Sequence, residues 1–313
     1  MGSRRFFLAS LVAALALTLT SAPALAKKPD PGDSGERPLT HQEQAASDRK
    51  GSEAERYVAS IGASGGDLAS LACVVPMSSG TAELEASSLG ATDDRVIAPD
   101  SAQGAAVAPQ ACWVPQGFLA VEARDQINGW YCGPAVGQVI ANYSWAMPAG
   151  ANKYLQRDLA VWMSTDLNGG TGSWNMERGL ETATWGSPRR PANWDWIVTR
   201  LEDTDRDGWV GDQLDAYVRA NISNSKMPLA ISVKPHDPVS PSGAHLASWP
   251  QPVWSVGHWV AIYGWVGIHD GTDMARMYFT DSSKDEGGAT GKFWTPTRWF
   301  TLMILEHTRL IVW

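Results

Sequence analysis

Gln126-Ile127-Asn128-Gly129-Trp130-Tyr131-Cys132-Gly133-Pro134-Ala135 is the stretch from which the rest of the chain is read. A turn with glycine and aromatic residues runs into Cys132, and the pattern after it predicts a helix over 134–146. Proline near a helix start is tolerated because its missing N–H would be unpaired there anyway. Cys132 therefore stands at the positive end of a helix dipole, where an anionic sulfur is favoured. Gln126 lies six residues upstream, from where its side-chain amide can turn back beside the sulfur. That amide and the backbone N–H of Cys132 would together hold an oxyanion.

A sulfur nucleophile needs a base, and the base needs an orienting group. Gly257-His258-Trp259-Val260-Ala261-Ile262-Tyr263-Gly264-Trp265 reads as one strand, and Ala275-Arg276-Met277-Tyr278-Phe279-Thr280-Asp281-Ser282 as a second that ends on an acid. Paired antiparallel, the two would bring His258 and Asp281 to one end of a sheet. His245 is the spare base, but it lies in a proline-rich loop with no strand to position it. Asp285 is the spare acid, in a looser glycine-rich stretch.

The order Gln126, Cys132-Gly133-Pro134, Gly257-His258-Trp259 and then a strand ending on Asp281 resembles the bacteriocin-processing (double-glycine leader) peptidases and their secreted single-domain relatives. The resemblance covers roughly residues 120–305. It implies a papain-like fold with Cys132 as nucleophile, His258 as base, Asp281 as orienter and Gln126 as oxyanion residue. Papain itself uses Asn in the orienting role; this chain has Asp, as the bacteriocin-processing type does. The implied activity is hydrolysis of a peptide or protein substrate through an acyl-thioester, with no cofactor required. An amidase or an acyl or γ-glutamyl transferase would use the same residues. A wall-associated binding protein with tryptophans lining a groove is the non-enzymatic alternative.

With 313 residues, 44% hydrophobic and 19% charged, the chain can build one core of about 200 residues and a smaller region. The expected division is a signal peptide at 1–26, a linker or pro-segment at 27–112, and the catalytic domain at 113–313. The net charge of −8 argues against nucleic-acid binding. Arg4 and Arg5, the apolar run Phe6 to Leu19 and Ala24-Leu25-Ala26 predict export by a Sec or twin-arginine signal. No other run is long enough to span a bilayer, so a monomer outside the membrane is expected. Of three cysteines in an exported chain, Cys73 and Cys112 are the natural disulfide pair, which leaves Cys132 free; three unpaired thiols are the alternative. Residues 27–55 are polar and without apolar period, which predicts a flexible segment. Helices at 134–146, 155–163, 174–184 and 213–220, then strands at 229–233, 258–265, 275–282, 298–305 and 308–313, make the expected fold α+β.

Asp203-Thr204-Asp205-Arg206-Asp207-Gly208-Trp209 matches the first half of a calcium loop. Asp203, Asp205 and Asp207 would be ligands at positions one, three and five, and Trp209 stands at seven. Position twelve is Leu214, not Glu, so Asp212 or Asp215 would have to replace the bidentate ligand. A structural Ca²⁺ of millimolar affinity is the expectation, with an ordinary solvated acidic loop as the alternative. Calcium at about 5 mM, above the extracellular binding range, should then raise the melting temperature of chelator-stripped protein. Asp205→Ala should remove that rise, and an unchanged melting temperature would leave the ordinary acidic loop.

Overall fold

The computed structural model describes residues 37–64, 116–166, 170–202, 210–235, 244–249, 257–267, 275–283, 288–305 and 307–313. The expected signal peptide, Cys73, Cys112, Asp203, Asp205, Asp207 and Trp209 lie outside them. The fold is α+β: helices packed on an open sheet of seven antiparallel strands. Among the described residues no helix is long and apolar enough to cross a membrane.

The central strand is β4 (His258–Val266). Every residue in it but the last is buried, as a near-continuous apolar run requires when both faces are covered. On one side it pairs with β3 (Leu229–Val233), and β1 (Gln116–Phe118) takes the same edge beyond the end of β3. On the other side lies β5 (Arg276–Asp281), followed by β6 (Gly291–Pro296). Beyond β3 come β7 (Leu310–Val312) and β2 (Val198–Arg200).

The β4–β5 ladder carries a bulge between Ile262 and Gly264. Ala261 is opposite Thr280 on the near side of it, and Gly264 opposite Tyr278 on the far side. Extended by one residue, the near register sets Val260 against Asp281, so His258 lies on the same face as Asp281. Had the far register run through, the offset would be one residue and the two side chains would leave opposite faces.

Two helices, α2 (Cys132–Ser144) and α4 (Ser173–Thr184), stack against this sheet, and α3 (Gln156–Trp162) packs on those two. All thirteen residues of α2 are buried, so it is an interior helix and not the one-faced helix its spacing predicts. Met163 at the end of α3 fills the gap between α2 and α4. A β-carbon on Gly137 would lie 2.3 Å from its Cε, and one on Gly179 would lie 2.2 Å from its Cγ. The short α5 (Gly211–Arg219) runs on as a π-helix, Ala220–Ser225, ended by Lys226 in the left-handed conformation.

Several elements differ from the sequence reading, β6 among them, which falls in none of the expected strands. Residues expected to be flexible form α1 (His41–Ser64). Thr40 and Glu43 close its start with reciprocal bonds, Thr40 N–H to Oε2 at 2.7 Å and Glu43 N–H to Oγ1 at 3.3 Å. Its docked face is made of small and polar residues: Ser47 Oγ donates to Thr199 Oγ1 at 2.9 Å, Gly51 faces the Tyr217 hydroxyl, and Ala54 is buried. Lys50 places its ammonium 4.1 Å from the Trp194 ring centre and donates to the Asp195 carbonyl at 3.0 Å. Residues 298–305, expected as a strand, form α6 (Thr297–Leu305); its buried Thr297, Phe300, Thr301 and Ile304 recur at helical spacing. β2 and α6 also break the simple order of helices first and strands last. Around the acidic loop, Leu214 is core, and Asp215 pairs with Arg219 at 3.3 Å inside the protein.

Gly179→Ala tests the helix spacing. Alanine is the better helix former by about 1 kcal/mol, but overpacking a filled core costs about 1–3 kcal/mol. Urea unfolding should show a net loss; unchanged or higher stability would mean that Met163 yields freely.

Candidate active site

Cys132 opens α2 and is buried. The residue before the helix, Tyr131, makes no side-chain cap. Pro134 has no N–H, and the first intrahelical bond of α2 is that from Ala135 N–H to the Tyr131 carbonyl at 2.8 Å. The N–H groups of Cys132 and Gly133 are thus left uncapped at the positive helix end. Gly133 has a packing reason too: a β-carbon there would lie 2.4 Å from Thr171 Oγ1. The Thr171 carbonyl accepts from Trp259 Nε1 at 2.7 Å, which ties the start of β4 to the start of α2.

His258 opens β4 and Asp281 ends β5, as the two-strand reading requires. His258 Nε2 is 2.7 Å from Asp281 Oδ1. With Nε2 committed to the acid, Nδ1 is the ring nitrogen left for Cys132. Asp281 accepts three further bonds: from Ser283 N–H at 2.9 Å on Oδ1, and from Ser248 Oγ at 2.6 Å and Trp249 Nε1 at 2.9 Å on Oδ2. The Trp249 ring also stands edge-on to the imidazole, 5.1 Å between centres.

Burial opposes charge on both partners, and the pair overcomes it. The field and hydrogen bond of Asp281, with a smaller share from the nearby Cys132, push His258 from its ordinary 6.5 up to about 10. The imidazolium and the Ser248 and Ser283 donors hold the Asp281 carboxyl below its ordinary range.

Gln126 is buried beside this pair. Its backbone N–H donates to the Ser282 carbonyl at 3.0 Å, and its Oε1 accepts from Ser282 Oγ at 3.3 Å. The amide N–H groups of Gln126 are thereby turned away from Ser282 and left for another acceptor. Gln156 staples the same arm to α3: its Oε1 accepts from Ile127 N–H at 3.1 Å, and its Nε2 donates to the Asp125 carbonyl at 2.7 Å.

The spare histidine, His245, packs its ring on Trp299 of α6, 5.7 Å between centres; Asp285 lies outside the described residues. Sequence reading missed Ser248, Trp249, Gln156 and Thr171. The first two sit in the same proline-rich loop as His245, which has no period to reveal them. Ser173 is the first residue of α4, and Gly172 holds the cap position without a side-chain bond.

No family model matches the chain, and no curated protein matches it. Among solved structures it is similar to the peptidase domain of Streptococcus ComA, a bi-functional ABC transporter involved in a quorum-sensing pathway. Identity there is 12%, over 61% of this chain and 96% of that chain, with a TM-score of 0.33. It is also similar to the ragweed pollen allergen Amb a 11 cysteine protease in its proform, at 12% identity over 66% of each chain with a TM-score of 0.37. Recombinant stem bromelain precursor is a third, at 13% identity over 64% of this chain and 70% of that one, with a TM-score of 0.37. All three likenesses are distant and single out no family.

The site's electrostatics have a measurable sign. Because the folded imidazolium is favoured over the unfolded one, the stabilisation it brings is complete below about pH 6.5 and lost as pH rises through about 10. Ring titration by NMR should find His258 still protonated at pH 8 (folded value about 10). In Asp281→Asn the midpoint should fall, since the raising charge is gone. A midpoint that stays near 10 in that variant would show that the carboxylate is not its cause.

Proposed function

We propose that the protein is an exported cysteine peptidase of papain-like fold, acting through Cys132, His258 and Asp281 with Gln126 as oxyanion donor. The observation that carries this reading is the His258–Asp281 contact at 2.7 Å, on the strand that packs against the helix Cys132 opens. The proton shared by Cys132 and His258 rests on His258 Nδ1, and the Cys132 sulfur attacks the substrate carbonyl as the thiolate. The Cys132 N–H and the Gln126 amide stabilise the resulting oxyanion. As the C–N bond breaks, His258 returns its proton to the leaving amine. Water, deprotonated by the same imidazole, then cleaves the thioester. Asp281 keeps the ring oriented and its charge favourable throughout. Residues 1–26 act as the export signal, and Cys73 pairs with Cys112.

Incubation with peptide libraries, with and without an amine acceptor, followed by mass spectrometry, tests the reaction class. Hydrolysed peptides support the peptidase, amine-linked products the transferase, and no turnover the binding protein. Cys132→Ala and His258→Ala should each abolish turnover while the fold persists. Gln126→Ala should cost about 10²-fold in kcat, and Asp281→Ala should be milder than loss of the base. Full turnover in His258→Ala, with loss in His245→Ala, would assign the base to the other histidine.

A further inference from the structure

A cavity of about 380 Å³ opens beside the Gln126 arm, and the proposed reaction gives it no role. Its walls include Arg124, Ile127, Gln138, Leu155, Gln156 and Arg157. Two features mark it as a place for a ligand. Ile127 and Leu155 are 55% and 62% exposed, so large apolar side chains face solvent side by side with the cavity. Arg157 is exposed and, among the described residues, has neither an acidic nor a hydrogen-bonding partner. Arg124 is a fixed second cation. Its Nη2 is held by Glu122 Oε2 at 2.9 Å and the Ala151 carbonyl at 3.0 Å, and its Nε is buried without a partner. Asp125, also on the wall, is already engaged. In a chain of net charge −8, an apolar rim with an uncommitted guanidinium is complementary to an apolar group followed by an anion.

The cavity adjoins the arm of the site, since Ile127 on its wall is next in sequence to Gln126. Gln138 stands six residues along α2 from Cys132, about 9 Å of helix rise. An extended peptide covers that in about three residues. The arm itself is rigid, because Gln156 holds it at both Asp125 and Ile127. We propose that this cavity is a specificity pocket for the peptide substrate, taking a large apolar residue against Ile127 and Leu155 and a neighbouring carboxylate on Arg157. The proposal rests on the peptidase reading of the same site. The carboxylate is either an acidic side chain or the free end of a short peptide.

Binding tests this apart from catalysis. Fluorescein-labelled octapeptides with leucine followed by Glu, or by Gln, each as C-terminal acid and as amide, are titrated against Cys132→Ala protein by anisotropy. Carboxylate-bearing peptides should bind roughly two- to fivefold tighter at low salt, the worth of one exposed ion pair. Arg157→Gln should erase that difference and leave the neutral peptide unchanged, while Leu155→Ser should weaken all four. The arm that responds to amidation, or to Gln, identifies the source of the carboxylate. Equal binding of all four peptides (none binding included), or a preference that survives Arg157→Gln, overturns the pocket. Cleavage by the unaltered protein is read separately. Cleavage with no carboxylate preference rejects the pocket and keeps the peptidase; Arg157-dependent binding with no cleavage of any peptide keeps the pocket and rejects the peptidase.

Discussion

A carboxylate and an imidazolium buried in contact, Asp281 and His258, impose the strictest condition on this fold. Their side chains are 0% and 1% exposed. Removing two such charges from water costs several kcal/mol each, and their attraction repays it only if the remaining lone pairs are filled. Here they are filled from three separate stretches of chain: Ser248 and Trp249 before β4, His258 at its start, and Ser283 just after β5. A vacancy in that set would leave a buried acceptor short, at about 1–3 kcal/mol. The loop 244–249 is therefore as much a part of the charged centre as the two strands are.

The bulge in β4 belongs to the same constraint. Cross-strand neighbours share a face, so one residue of register decides whether His258 and Asp281 meet or point apart. The irregularity between Ile262 and Gly264 shifts the near half of the ladder into the register in which they meet. It sits in the interior of the sheet, where an unpaired residue weakens the ladder, and its gain is made at the strand end.

The residues of the candidate site were legible as candidates because each sits where a local pattern changes. Cys132 marks turn to helix, His258 loop to strand, and Asp281 strand to loop. The hidden parts lack such a change or carry a misleading one. Ser47, Gly51 and Ala54 recur at helical spacing along α1, but they are too small or too polar to register as an apolar face. The run Trp299-Phe300-Thr301-Leu302-Met303-Ile304 is rich in strand formers, yet it lies across β3 and β6 as a helix, and packing overrode propensity. Ser248 and Trp249 could be found only once β5 had brought Asp281 beneath them. Their role is set by a partner more than thirty residues away.

The Gln126 arm shows how the two halves of the site act as one body. Two bonds join it to Ser282, the residue next to Asp281, and two more from Gln156 join it to α3. α3 is in turn set against α2 through Met163, which is clasped by Gly137 and Gly179. A displacement of β5 relative to α2 would therefore move the acid, and through it the imidazole, together with the Gln126 side chain. The imidazole and the Gln126 amide are oriented by the same contacts. Such a site loses both together when its packing loosens, and holds both within the tolerance of a hydrogen bond while the core stays filled.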